Sequence, residues 1–268
     1  MTIRKVALPM YLGAAQAVQA LWNSLRRALG EEGLNGLPDA VAWPQDLHAH
    51  WLDPQLWLSQ TCGYPLTHAL QGKVQLLGCF RYAAPGCEGI DCRSVLIART
   101  EHAAFELANF RGRRVAFNSS DSQSGYNALR ALVAPLASQG RFFSHSLATG
   151  GHRQSVDAVR EGRADLAAID CVTWALLQKT TAQATQGLHA IGFSAPYPGL
   201  PLISALGTDA SQVAAMQNAL RQVLQDPKVQ PALDTLLITG LETPPLSVYQ
   251  RCLAMEQEAL VQGYPTLV

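Results

Sequence analysis

The sequence predicts an α/β fold. Short apolar strands alternate with amphipathic helices along the whole chain, and its first elements run strand, loop, helix. Neither an internal repeat nor a low-complexity tract interrupts the alternation. With 268 residues, 48% of them hydrophobic, the chain can bury a core as one large domain or two small ones.

Taken in order, residues 3–8 form an apolar strand that Pro9 ends. Val18, Leu21, Trp22, Leu25 and Leu29 recur at helical spacing, with Gly30 as the stop. Residues 31–54 are loop-rich, with Pro38, Pro44 and Pro54, and Trp43, Trp51 and Trp57 read as core filler. Residues 56–58 form a strand that runs into the polar turn Gln60-Thr61-Cys62-Gly63-Tyr64-Pro65. Such turns, at the carboxyl ends of strands, hold ligands in open α/β sheets. A short helix and a strand over 74–77 follow.

Residues 94–98 are a strand, 101–107 a helix and 113–117 a strand. The loop Asn118-Ser-Ser-Asp-Ser-Gln-Ser-Gly-Tyr126 then opens a helix through Leu129, Leu132, Val133 and Leu136. Residues 144–148 are extended. Thr149-Gly-Gly-His152 opens the next helix, with Val156 and Val159 inward and Gly162 at its end. Residues 165–169 form a buried strand ending in Asp170. Strands over 189–193 and 202–206 precede helices over 209–225, 229–237 and 246–260. The expected organisation is a middle lobe of residues 96–195 inserted between 1–95 and 196–268, which together form the terminal lobe.

Charge excludes some functions. Lys and Arg number 20 and Asp and Glu 20, without the basic excess of a nucleic-acid binder; Arg26-Arg27 and Arg111, Arg113, Arg114 read as solvated turns and helix ends. No stretch approaches the roughly 20 apolar residues that span a bilayer, so membrane insertion is not expected. Residues 1–10 lack the apolar region of a signal peptide, which points to the cytoplasm, or to the periplasm if an export signal has been removed. Cys62, Cys79, Cys87, Cys92, Cys171 and Cys252 contain no CxxC pair and read as reduced thiols. In an exported chain a 62–87 or 87–92 bridge is the alternative.

Three features could hold an anion. Ser119–Gly125 is a hydroxyl-rich loop at a helix start, where unpaired N–H groups carry partial positive charge. Ser122 and Ser124 add hydroxyls and Gln123 an amide, a set suited to a tetrahedral oxyanion; the competing reading is an N-cap loop serving its own helix. Gly150-Gly151-His152 permits close backbone approach and adds an imidazole donor, or is merely a surface helix start. Asp170 either receives a ligand amine or protonated oxygen, or caps the helix from Cys171. No Walker A loop, Gly-x-Ser-x-Gly, His-Glu-x-x-His or Gly-x-Gly-x-x-Gly is present, and no cofactor or metal site is expected.

Together, Leu8-Pro-Met-Tyr11, Leu58-Ser-Gln-Thr-Cys-Gly-Tyr-Pro65, Arg93-Ser-Val95, Ser122-Gln-Ser-Gly-Tyr126, Gly150-Gly-His152 with Ser155, and Ala167-Ala-Ile-Asp170 resemble the phosphate/phosphite/phosphonate-binding solute-binding proteins of ABC importers, over roughly residues 5–260. The resemblance implies a type II periplasmic-binding fold: two α/β lobes joined by two crossover strands and closing like a hinge on a small phosphorus oxyanion. It implies that Ser122, Gln123, Ser124 and His152 hold the phosphoryl oxygens, with Asp170 beyond His152. It further implies that Tyr11 and Tyr64, with Thr61 on the same turn as Tyr64, cover the ligand from the terminal lobe. The implied role is binding rather than catalysis, in partnership with an ABC permease or a sensor protein. The alternative is a cytoplasmic enzyme on the same fold, with His152 or Asp170 as general base. Gln123 departs from the family's Ser-Thr-Ser-Gly loop.

Overall fold

The computed structural model describes residues 4–268, and the side chain of Leu12 is not described. The strands are β1 Lys5–Ala7, β2 Leu56–Gln60, β3 Val74–Tyr82, β4 Asp91–Cys92, β5 Ser94–Arg99, β6 Arg114–Phe117, β7 His145–Ala148, β8 Leu166–Asp170, β9 Leu188–Phe193, β10 Tyr197–Pro198, β11 Pro201–Ala205 and β12 Ile238–Glu242. The α-helices are α1 Ala15–Glu31, α2 Leu47–Trp51, α3 Gly63–Thr67, α4 Ala128–Val133, α5 His152–Arg160, α6 Cys171–Thr180, α7 Ala210–Val223, α8 Gln230–Leu236 and α9 Gln250–Val261. Ile3, expected to begin the first strand, lies outside the described residues.

The chain divides into two compact units, Met1–Ala83 with Gly199–Val248 and Ala84–Pro198 with Tyr249–Val268. The first holds a five-stranded sheet in the order β1-β2-β11-β3-β12. β1 and β2 are parallel, and β11 is antiparallel to both β2 and β3. β2 is buried at every position, as its run Leu-Trp-Leu-Ser-Gln requires of a strand covered on both faces. α1 turns Val18, Leu21, Trp22, Leu25, Ala28 and Leu29 inward, the stripe that its spacing predicts. Gly30 does not stop it; the helix runs one residue further.

The second unit has the order β7-β6-β8-β5-β9, with β6, β7 and β8 parallel and β5 antiparallel to its neighbours. Leu166-Ala-Ala-Ile-Asp170 is buried throughout, and its two alanines let α5 pack close on the sheet. At the other end of this strand Asp165 is clamped by Arg114, whose backbone N–H, Nε and Nη2 all donate to it at 2.9–3.0 Å, and by Arg99 Nη2 at 3.1 Å.

Two expectations are corrected. Residues 101–107 form no α-helix: 3₁₀ turns at Thr100–His102 and Leu107–Phe110 replace it, because Glu106 and Asn109 form a capping box that starts a new turn there. The unit limits also lie elsewhere. They fall at 83/84 and 198/199 rather than 95/96 and 195/196, and the last segment belongs to the middle block. Strands β5 and β9 pair with each other inside the second sheet. Ala259, Tyr264 and Leu267 sit in the second unit's core with Leu129, Val133 and Phe142. Arg251 binds Asp91 through both terminal nitrogens, and Arg130 donates to the Pro265 carbonyl at 2.7 Å. Those contacts hold α9 and the C-terminal residues to that core.

Candidate functional site

Because β6, β7 and β8 are parallel neighbours, their carboxyl ends share one edge of the second sheet. Three helix starts follow from that edge: Asn118–Ser124 after β6, Thr149–His152 after β7, and Asp170–Cys171 after β8. This is where an open α/β sheet places ligands. Sequence reasoning singled out each of these stretches separately; the topology sets them side by side.

The loop after β6 enters its helix through a π-turn, Gln123–Asn127, before α4. Ser122 is the N-cap, and its Oγ accepts the Gly125 N–H at 3.0 Å. Ser124 Oγ lies 2.8 Å from His152 Nε2 and 3.5 Å from Ser122 Oγ. Two backbone bonds tie the β6 and β7 loops together: Thr149 N–H to the Phe117 carbonyl at 2.9 Å and Gly150 N–H to the Asn118 carbonyl at 2.8 Å. Gly150 adopts φ +88°, a left-handed turn that a side chain would strain. Gly125 is needed for space instead. A Cβ there would stand 1.9 Å from Asn118 Oδ1 and 3.3 Å from His152 Cε1.

Burial lowers the His152 imidazole to about 4, so it is neutral near pH 7. Its Nδ1 is buried with no hydrogen-bond partner among the described residues. In the tautomer protonated at Nε2, the neutral ring donates into Ser124 Oγ, and the Ser124 O–H stays available as a donor. Ser94 supports the cluster from β5. Its Oγ donates to the Ser124 carbonyl at 2.7 Å and lies 2.9 Å from Tyr197 Oη. Ser94 pairs across the ladder with Asp170.

Asp170 caps α6: its Oδ1 accepts Thr173 N–H at 2.8 Å and Thr173 Oγ1–H at 3.1 Å. Burial, with the neighbouring Cys171, pushes its carboxyl up to about 7, against the Thr173 bonds that favour the charged form. Near neutral pH this acid is poised to accept a proton or to donate one.

Gln123 departs from its expected role as an amide donor to the oxyanion. It is 1% exposed, its Nε2 faces Met255 Sδ at 3.2 Å, and its Oε1 accepts from Asn127 Nδ2 at 2.9 Å. The amide is committed to the interior because α9 brings Met255 under the loop.

The other expected residues lie in the first unit. Tyr11 is buried in a 3₁₀ segment, Pro9–Ala14, its ring edge-on to Tyr82 at 5.8 Å. Tyr82 in turn receives Gln60 Nε2 at 2.9 Å. Thr61, just past β2, is fully buried, and its hydroxyl has no partner among the described residues. Tyr64 stacks on His68 with ring centroids 3.8 Å apart. A surface cavity of about 650 Å³ in the same unit, lined by Arg4, Trp57, Lys73 and Gln212 among others, contains none of these residues.

Asn118, Ser94 and Tyr197 were not singled out as ligand or support residues. Asn118 and Ser94 stood within stretches already marked, whereas nothing in the local pattern distinguishes Tyr197.

Residues 55–249 match the family model described as the periplasmic substrate-binding protein of ABC phosphonate transporters. No curated protein matches the chain. Among solved structures, PhnD1 from Prochlorococcus marinus in complex with methylphosphonate aligns with a TM-score of 0.76 at 12% identity, covering 97% of this chain and 98% of that one. A binding protein component of an ABC phosphonate transporter from Pseudomonas aeruginosa aligns with a TM-score of 0.75 at 14% identity, covering 97% and 88%. A Xanthomonas citri protein bound to ATP aligns with a TM-score of 0.69 at 15% identity, covering 97% of each chain. At these identities the structural matches establish the type II periplasmic-binding fold.

Proposed function

The chain belongs to the periplasmic substrate-binding proteins of ABC phosphonate transporters, and we propose that it binds a small phosphorus oxyanion: phosphate, phosphite or a phosphonate. Members of this family are substrate-binding components, not enzymes. No helix among the described residues is long and apolar enough to cross a membrane.

One observation carries the reading. Ser122, Ser124 and His152 converge at adjacent helix starts, with Ser124 Oγ 2.8 Å from a neutral imidazole. Helix-start N–H groups and hydroxyls are donors suited to an acceptor-rich anion, and they need no metal. Gln123 serves as packing beneath the loop. Asp170 accepts the protonated oxygen or amine of the ligand, which separates a protonated phosphorus oxyacid from sulfate, an anion with no proton to give. Tyr11, Thr61 and Tyr64 are the first unit's candidate ligand-binding residues. The transporter partner is an ABC permease, and the site of action is the periplasm, as is usual for the family.

A thermal-shift panel of phosphate, phosphite, methylphosphonate, 2-aminoethylphosphonate and sulfate tests the reading. A ligand present at about 100 times its Kd stabilises by about 2.7 kcal/mol, a shift of several degrees for a chain of this size. The expected outcome is a shift with at least one phosphorus oxyanion and none with sulfate. No shift with any phosphorus oxyanion would overturn it.

A further inference from the structure

Six cysteines are scattered through the sequence without a metal-binding spacing, yet the fold gathers three of them. Cys87 Sγ lies 3.7 Å from Cys92 Sγ and 3.4 Å from Cys171 Sγ, and all three sulfurs fall within 4.8 Å of one another. Cys92 and Cys171 are buried, at 3% and 1% exposure, and Cys87 is partly exposed.

The backbone builds this arrangement from two separate elements of one unit. Glu88 and Asp91 exchange both backbone hydrogen bonds at 2.9 Å, closing a tight loop that sets Cys87 and Cys92 side by side. Gly86, at φ +100°, lets the chain turn into that loop; a Cβ there would press on the Phe193 ring at 2.9 Å and on Cys171 Cβ at 3.2 Å. Cys171 arrives from the end of β8, its N–H donating to the Arg93 carbonyl at 3.1 Å. A lone buried cysteine behaves as a small apolar residue. Three sulfurs converging from residues 84 positions apart offer a soft donor set, because thiols pair poorly with one another and thiolates bind thiophilic cations strongly.

The spacing fits a particular geometry. With a metal–sulfur distance of about 2.3 Å, a tetrahedral thiolate site has sulfurs about 3.8 Å apart. The Cys87–Cys92 and Cys87–Cys171 separations, 3.7 and 3.4 Å, both lie below that value, within the reach of small side-chain rotations. No fourth His, Cys, Asp or Glu ligand atom joins the cluster among the described residues, which leaves the fourth position to water or a small ligand on the exposed Cys87 side. We propose that Cys87, Cys92 and Cys171 form a three-thiolate site for a thiophilic divalent cation such as Zn²⁺. Binding forms three metal–sulfur bonds and releases to solvent the S–H protons that the three cysteines carry, up to three for each ion bound. The inference is independent of the oxyanion reading.

The test uses the full reduced chain with Co²⁺ as a spectroscopic probe and Zn²⁺ as competitor. One equivalent of Co²⁺ should give a thiolate-to-metal charge-transfer band and strong visible bands of tetrahedral cobalt, both removed by one equivalent of Zn²⁺. Cys87→Ser, the least buried change, should abolish the charge-transfer band or shift the site to millimolar concentrations, whereas Cys62→Ser should leave it intact. Because a buried variant can misfold, thiol counting on the unmutated chain gives a second readout. Zn²⁺ should shield three thiols from a maleimide under native conditions beyond those buried in its absence or, where burial already shields two, slow Cys87 labelling at least tenfold. The absence of a stoichiometric cobalt–thiolate band, an identical band in Cys87→Ser, or Cys87 labelling unaffected by Zn²⁺ would each overturn the proposal.

Discussion

Replacing Ser124 by Ala isolates the contribution of one hydroxyl to oxyanion binding. Its Oγ has two protein neighbours, His152 Nε2 at 2.8 Å and Ser122 Oγ at 3.5 Å. The second lies at the outer limit of a hydrogen bond and contributes little. A hydroxyl offers one donor and two acceptors, so with Nε2–H donating into it the O–H proton remains for the ligand. Removing a hydrogen bond to a charged group costs about 1.5–3 kcal/mol, and each 1.4 kcal/mol is about tenfold in Kd. Ser124→Ala should therefore weaken the ligand found in the thermal-shift panel by roughly ten- to more than a hundredfold. The folded chain also loses the neutral bond to His152, worth about 1 kcal/mol, so the ligand-free Tm should fall by only a few degrees. Isothermal titration calorimetry reads the first effect and ligand-free unfolding the second. Unchanged affinity in a folded Ser124→Ala chain would refute the placement of the ligand at this hydroxyl.

Gly125→Ala should weaken binding more than it destabilises the fold, since its Cβ would stand 1.9 Å from Asn118 Oδ1 and displace the site loop; calorimetry beside thermal unfolding checks this. Asp165→Asn should cost about 1–3 kcal/mol at neutral pH by leaving Arg99 and Arg114 poorly paired, measured by urea unfolding. The Arg114 and Arg99 guanidinium groups hold the Asp165 carboxyl well below the usual carboxylate range despite its burial. Its stabilisation is thus full above the unfolded pKa of about 3.9 and lost as pH falls through the folded value, so the difference from Asp165→Asn should shrink only in that acid window. His152 behaves with a shifted window: the unfolded imidazole protonates near 6.5 and the buried one near 4, so the unfolded state binds the extra proton between these values. The ligand-free chain should lose stability from about pH 6.5 down to about 4, and His152→Asn should flatten that slope.

The strand ends were legible because apolar runs stop at polar residues: β2 and β6 run into polar, glycine-containing turns, and β8 ends in Asp170, the cap of the next helix. Ser122, Ser124 and His152 could be named from local chemistry, because helix-start residues serve either a cap or a ligand. What brings Ser124 to His152 is the parallel pairing of β6 with β7, and pairing of strands distant in sequence leaves no local mark. Gln123 illustrates the complementary limit. Its amide faces inward because Met255, 132 residues later, lies under it, and local pattern placed that last helix with the other lobe. The 101–107 segment has helical composition, but the His102, Phe105 and Phe110 rings gather with centroids 4.7–5.9 Å apart, around 3₁₀ turns rather than a helix. The thiol cluster was invisible for the same reason as the Ser124–His152 contact: Cys171 reaches Cys87 and Cys92 only through the placement of β8 beside β5.

A crystal structure of the chain with methylphosphonate bound tests the central claim most directly. The account predicts phosphonate oxygens within hydrogen-bond distance of Ser122 or Ser124, at the helix start after β6, with His152 Nε2 still bonded to Ser124 Oγ and the Gln123 side chain still turned toward Met255. A ligand held elsewhere, with Ser124 and His152 bonded only to each other, would contradict it.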